Sequence, residues 1–248
     1  IPGSYMIREF ARHIIDIRAE ADGRALALEK LDKARWRAAP TRAPLTVHYR
    51  VYAWDLSVRG AYLDGERAFC NGTSVFLRPE GRAHLPCRVD IEPPPGPAYA
   101  AWQVATSLPR AGAAPWGFGS YAAAHYEDLI DHPLEMGAFI RVDFAVRGVP
   151  HHLIVTGQPH FHQERLVRDL QAICAWQMDL FGAPELEEPY LFLVMAVGSG
   201  YGGLEHRNST ALICDRTDLP PPGLTDAARP EGYVRFLGLC SHEYFHRW

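Results

Sequence analysis

The sequence of 248 residues predicts an α+β protein, with an N-terminal antiparallel β-sandwich-like domain over residues 1–135 and a mixed strand-and-helix lobe over residues 136–248. Three observations lead there. The first half carries short runs of alternating β-branched and aromatic residues broken by Gly, Asn, Asp and Pro. Amphipathic helical periodicity stands out in the second half, at Glu164 to Phe181. The continuous apolar run Leu191 to Val197 then reads as a buried strand.

Taken in order, Leu45 to Trp54 alternates as a strand does. Asp64-Gly65 and Asn71-Gly72 mark tight turns, with Ser74 to Leu77 a short strand after the second. The proline-rich Glu92 to Pro97 cannot continue a hydrogen-bonded ladder and is expected as a surface connection. Ala98 to Val104 reads as a further strand, and Pro109 to Gly119, rich in Gly, Ala and Pro, as a loop. No internal repeat is visible.

In the second half, Phe139 to Val146 and His152 to Thr156 are expected to pair, turning at Gly148-Val149-Pro150. The helix from Glu164 to Phe181 presents an apolar stripe of Leu166, Leu170, Ile173, Cys174 and Leu180, with Gly182 as its C-cap. After Leu191 to Val197, the glycine-rich Gly198 to Gly203 turns into a second strand ending near Cys214. Pro220 to Gly223 makes a loop before a last helix, whose apolar Tyr233 to Cys240 runs directly into Ser241-His242-Glu243-Tyr244-Phe245-His246.

Bulk composition excludes some roles. Hydrophobic content of 48% and charged content of 22% are ordinary for a globular protein. A net charge of −4 argues against nucleic acid as the main partner, because phosphate binding needs a basic surface. No apolar run reaches membrane-spanning length. Cys70, Cys87, Cys174, Cys214 and Cys240 are dispersed and form no C-x-x-C pair, which reads as reduced thiols. That favours the cytoplasm. A periplasmic or secreted location stays open, since a chain starting at Ile1 is compatible with a removed leader. Asn71-Gly72-Thr73 and Asn208-Ser209-Thr210 match the glycosylation triplet but read as a turn and a strand. Oligomeric state has no signal in the sequence.

The last helix carries the strongest chemistry. His242 and His246 are four residues apart, so on a helix both imidazoles leave one face and can grip a single ion. Glu243 lies beside them, where a carboxylate can take a proton from a metal-bound water. This is the H-E-x-x-H arrangement of zinc metallopeptidases, with zinc as cofactor, His242 and His246 as metal ligands and Glu243 as general base. A catalytic zinc takes three protein ligands, and only Arg247 and Trp248 follow His246. The sequence therefore reads as a fragment whose third ligand lies beyond it and which is inactive alone.

Gly202-Gly203-Leu204-Glu205-His206 is the second segment with chemical content. Gly202 and Gly203 leave the backbone open for a peptide to add as a strand. The Glu205 carboxylate can hold a peptide's α-ammonium by charge-assisted hydrogen bonds.

Gly202-Gly203-Leu204-Glu205-His206-Arg207-Asn208-Ser209-Thr210 ahead of His242-Glu243-Tyr244-Phe245-His246-Arg247-Trp248 resembles the glycyl aminopeptidase family of gluzincin metallopeptidases, many of which carry a C-terminal PDZ domain. Ile1 to Phe10, Tyr126 to Gly137 and His152 to Gly157 fit the same family. The resemblance implies that residues 136–248 are the first part of a thermolysin-like catalytic domain, with further sequence before Ile1 and after Trp248. It implies a zinc-dependent aminopeptidase acting on peptide substrates, with small N-terminal residues such as Gly or Ala preferred. By the same resemblance Glu205 binds the substrate's free amino end, and the third zinc ligand is a glutamate on a following helix. His206 stands where aminopeptidase N-like relatives have an asparagine.

Other candidates are weaker. His160 and His162 share one strand face by alternation, but no carboxylate or cysteine pattern supports a second metal site there or at His151-His152. Tyr201, Trp116 and Phe118 are aromatic candidates for a substrate groove, and Asp131 and Glu135 are read as a helix end and domain packing. A rival reading is a non-catalytic peptide-binding or scaffolding protein with a degenerate metal site.

Overall fold

The computed structural model describes residues 6–182 and 188–248. Ile1 to Tyr5, the start of the first family-like stretch, lie outside the described residues. The first half contains β1 (Ile14–Ala21), β2 (Arg24–Leu26), β3 (Leu28–Lys30), β4 (Trp36–Ala38), β5 (Thr46–Val51) and β6 (Ala61–Leu63). It continues with β7 (Arg67–Cys70), β8 (Cys87–Ile91), β9 (Gln103–Ala105), β10 (Gly119–Ala123), the short helix α1 (Tyr126–Ile130) and β11 (Leu134–Gly137). Then come β12 (Ile140–Val146), β13 (Val149–Thr156), α2 (Gln163–Phe181), β14 (Tyr190–Val197), β15 (Gly202–His206), β16 (Ser209–Asp215) and α3 (Glu231–Phe245). The α+β class holds.

Strand pairing in the first half is antiparallel and divided among small sheets, ordered β2-β1-β5, β6-β7-β11-β9, β8-β10 and β3-β4. The Asp64-Gly65 turn joins β6 to β7, and the Asp64 carboxylate accepts from the backbone N–H groups of Glu66 and Arg67. One expected strand is absent and another is shortened. Asn71 caps a 3-10 turn at Gly72–Ser74 by accepting from Thr73 N, so the chain does not extend at Ser74 to Leu77. Pro97 starts another 3-10 turn, which confines the strand expected at Ala98 to Val104 to Gln103–Ala105.

The second half is one mixed sheet, ordered β12-β13-β14-β16-β15. Parallel neighbours flank β14 on both sides, which is why its sequence is apolar without alternation. Phe192, Val194 and Ala196 pack with Leu166 and Leu170 of α2 and with Phe236 and Tyr244 of α3. Met195 faces the other way, into a cluster with Val58 and Phe69 from the first half. The two halves therefore share a core across the sheet.

Three second-half expectations shift. The β12–β13 hairpin turns at Arg147-Gly148, both at positive φ (50° and 84°), as a two-residue turn requires. Pro150 is inside β13, tolerated because parallel pairing with β14 begins only at His151. In α2, Met178 is buried and Leu180 is 57% exposed, so the stripe ends one residue pair early. The strand expected to end near Cys214 is two, β15 and β16, paired antiparallel from Gly202↔Ile213 to His206↔Ser209. No helix among the described residues is long and apolar enough to cross a membrane; this says nothing of a β-barrel.

Helix α3 is held from several sides. The Gln177 amide donates to Ser241 O and Oγ, each at 2.9 Å, and Arg235 pairs with Asp218 at 2.7 Å. His151 lies buried under the helix, with Nδ1 2.9 Å from Val149 O and Nε2 3.0 Å from the Tyr244 hydroxyl. Burial pushes the His151 pKa down to about 4, while an unfolded histidine titrates near about 6.5. The folded chain keeps it neutral, so its stabilising contribution is complete above about pH 6.5 and is lost as pH falls towards 4. Glu135 and Glu243, both raised to about 7 by burial, contribute the opposite slope, so the His151 part is read as a difference: the parent's urea midpoint should fall relative to that of His151→Gln as pH drops from about 6.5 to 4. An equal pH slope in the variant would contradict this coupling.

Candidate active site

His242, Glu243 and His246 occupy the last turn of α3, with His246 as its C-cap. The two imidazoles lie on one side of the helix: ring centroids are 5.0 Å apart and the Nε2 atoms 3.3 Å apart. Both histidines are exposed, whereas Glu243 between them is only 5% exposed.

Glu243 points at β15, the strand at the edge of the sheet. Side chains alternate along that strand. Leu204 enters the core shared with Val58 and Phe69, while Glu205 turns towards α3. Ligand atoms of Glu205, Glu243 and His246 all lie within 4.8 Å of one another. Gly203 has a local reason: an added Cβ would overlap the Glu243 carboxylate. Gly202 has only ordinary contact with Ile213 and keeps the edge backbone bare.

His206 points back to the first half. Its Nδ1 is 3.1 Å from Asp131 Oδ1 and its Nε2 is 3.4 Å from the Asn71 amide nitrogen, and Arg207 N donates to Asp131 Oδ2 at 3.4 Å. The C-terminal end of α1 thus braces the strand that carries Glu205. Glu135 is elsewhere, buried in a bidentate pair with Arg67 (3.0 and 2.6 Å).

Electrostatics at Glu243 are unusual for a carboxylate. Burial, reinforced by the charge of Glu205, pushes its pKa up to about 7, opposed by His246 and Arg59. Its Oε2 is buried with no hydrogen-bond partner among the described residues. Such an atom costs free energy unless something polar meets it, so the carboxylate is poised to receive a proton.

Sequence reasoning missed Arg59. It lies in the turn before β6, and its Nη2 donates to Gly203 O at 3.3 Å across 144 residues of chain. No motif or spacing marks it. The remaining candidates fall away from this site. His152 pairs with Asp143 at 2.7 Å, His162 caps α2 outside any strand, and His160 is exposed. Trp116 packs near Phe139 and His152, and Phe118 joins the core of the first half. Tyr201 is 53% exposed beneath the Arg235 guanidinium.

The peptidase M61 N-terminal domain matches residues 1–138, more than half the chain. The chain belongs to the peptidase M61 family. A crystal structure of an aminopeptidase N family protein from Idiomarina loihiensis superposes on this M61 chain with a TM-score of 0.95 at 44% identity. That likeness covers 100% of this chain and 41% of the Idiomarina chain. The crystal structure of Legionella pneumophila aminopeptidase A in complex with aspartic acid gives a TM-score of 0.58 at 16% identity, over 95% of this chain and 29% of that one. At that identity the likeness shows the fold alone. The M61 chain spans less than half the length of either protein. Comparison with curated proteins returned no match.

Proposed function

We propose that this peptidase-family chain carries the first part of the active site of a zinc-dependent aminopeptidase, with residues 136–248 forming part of a thermolysin-like catalytic domain. One observation carries the reading: the paired imidazoles of His242 and His246 sit beside a buried Glu243 carboxylate whose Oε2 has no hydrogen-bond partner among the described residues, with Glu205 across from it. A tetrahedral zinc with Zn–N bonds of about 2.0–2.1 Å holds two nitrogens about 3.3 Å apart. The 3.3 Å between the Nε2 atoms fits that spacing. His242 and His246 would be two of the three protein ligands. Zinc supplies a Lewis acid that polarises a carbonyl and lowers the pKa of water.

The chain's own residues supply the rest. The Glu243 carboxylate accepts the proton released by the attacking water and returns it to the leaving amine. Glu205 takes the peptide's α-ammonium, which fixes the cut one residue from the amino end. The edge of β15 at Gly202 and Gly203 receives the peptide backbone as an added strand. Asp131, through His206, keeps that strand in place. The preference for small N-terminal residues such as Gly or Ala rests on the family resemblance.

The amino end supplies the test. Glu205→Ala in the protein at its natural length should raise KM and lower kcat/KM for free-amine peptides by about 10- to 150-fold, the worth of a charged hydrogen bond. N-acetylated peptides should be poor substrates of the parent. Equal rates on acetylated and free peptides would remove this role for Glu205.

A further inference from the structure

One cation reaches the site from the first half of the chain. Val58, 2% exposed, is locked into the core shared with Leu204 and Ile213, and this fixes the turn on which Arg59 stands. Asn71 N donates to Gly60 O at 3.0 Å on the other side of it. Arg59 makes no ion pair among the described residues, and its one hydrogen bond to another element is the 3.3 Å contact to Gly203 O, long for an N–H···O bond. Its Nε is buried with no partner among the described residues. Its charge acts on Glu243, and its Nη2 reaches the strand β15 at Gly203 O.

We propose that Arg59 is a substrate-binding residue that takes the C-terminal carboxylate of a short peptide, so that dipeptides are the substrate class this site selects. The proposal rests on the reading in which Glu205 holds the α-ammonium. A strand advances about 3.4 Å per residue, so Gly203 and Glu205 stand about 7 Å apart along β15. A peptide laid antiparallel on that edge, amine at Glu205, brings its second residue level with Leu204 and its C-terminal carboxylate, about 7 Å from the amine, level with Gly203. There its carboxylate meets the Arg59 guanidinium. The bond between its two residues lies beside Glu243, which packs on Gly203. A carboxylate is also the better acceptor: charge-assisted pairs to arginine are shorter and stronger than the long bond to Gly203 O that would be exchanged. In a longer peptide, a neutral carbonyl replaces the carboxylate at this level.

The test compares Ala-Ala with its C-terminal amide, Ala-Ala-NH2, on the zinc-loaded protein at its natural length. The parent should favour the free dipeptide in kcat/KM by about tenfold or more. Arg59→Gln should bring the ratio close to one, chiefly through KM, and Arg59→Lys should restore part of it. Equal kcat/KM for the two substrates in the parent overturns the proposal without needing any variant. A proportional loss on both substrates in Arg59→Gln, with no recovery of the ratio in Arg59→Lys, also overturns it and leaves Arg59 a structural clamp. Should Glu205→Ala abolish the preference for free over acetylated amines while the dipeptide ratio in the parent is one, the aminopeptidase reading stands and the Arg59 role alone falls. Equal rates on free and N-acetylated peptides take down both.

Discussion

Replacing Glu243 by glutamine is expected to lower kcat/KM for alanine anilide by about 10²–10⁴-fold, the range contributed by a positioned general base, while zinc content stays unchanged. Glutamine matches the shape of the buried side chain and its contact with Gly203 but cannot take a proton. The effect should therefore fall on kcat rather than on folding. The position is suited to the task because Glu243 is buried beside the histidine pair and Glu205, with its carboxylate packed against Gly203. Steady-state kinetics alongside metal analysis and a thermal melt would separate the contributions. Activity within tenfold of the parent at full zinc occupancy would rule Glu243 out as the base.

Zinc itself should depend on His246. With its Nε2 3.3 Å from that of His242 and its ligand atom within 4.8 Å of Glu205 and Glu243, His246 joins the pair of imidazoles to the carboxylates. Its exposure at the helix end makes His246→Ala a small structural change, so a loss of metal would not be secondary to unfolding. Groups that merely orient a ligand cost about 10- to 100-fold in affinity or activity when removed. Removing the ligand should cost about 100-fold or more. Competition with a chromogenic chelator reads this directly. Unchanged zinc affinity in His246→Ala would show that the ion, if bound at all, is held elsewhere.

How much of this was legible in the sequence depends on how local each signal was. The H-E-x-x-H face, the buried run of β14 and the stripe of α2 follow from periodicity alone, since each is set by one element meeting one core. The hairpin β15–β16 was blurred into a single strand because Ser209-Thr210-Ala211-Leu212 continues the β pattern and Arg207-Asn208 lacks a glycine to mark the turn. Ser74 to Leu77 looked extended, but a side-chain cap from Asn71 diverted it into a 3-10 turn. Glu205 was readable only beside its glycines. Arg59 is not readable at all: its place depends on Val58 fitting a core built from Phe69 together with Met195, Leu204 and Ile213, which lie more than a hundred residues away. The link from Asp131 through His206 to the Glu205 strand is likewise a tertiary fact, invisible to spacing.

The most direct measurement of the central claim is zinc stoichiometry together with alanine anilide hydrolysis, made on the protein at its natural length before and after chelation. The account predicts one zinc per chain, hydrolysis that disappears with the metal and returns on adding zinc, and little turnover of the N-acetylated anilide. A protein that holds no zinc and releases no aniline would contradict it and leave the same cleft as a peptide-binding surface without catalysis.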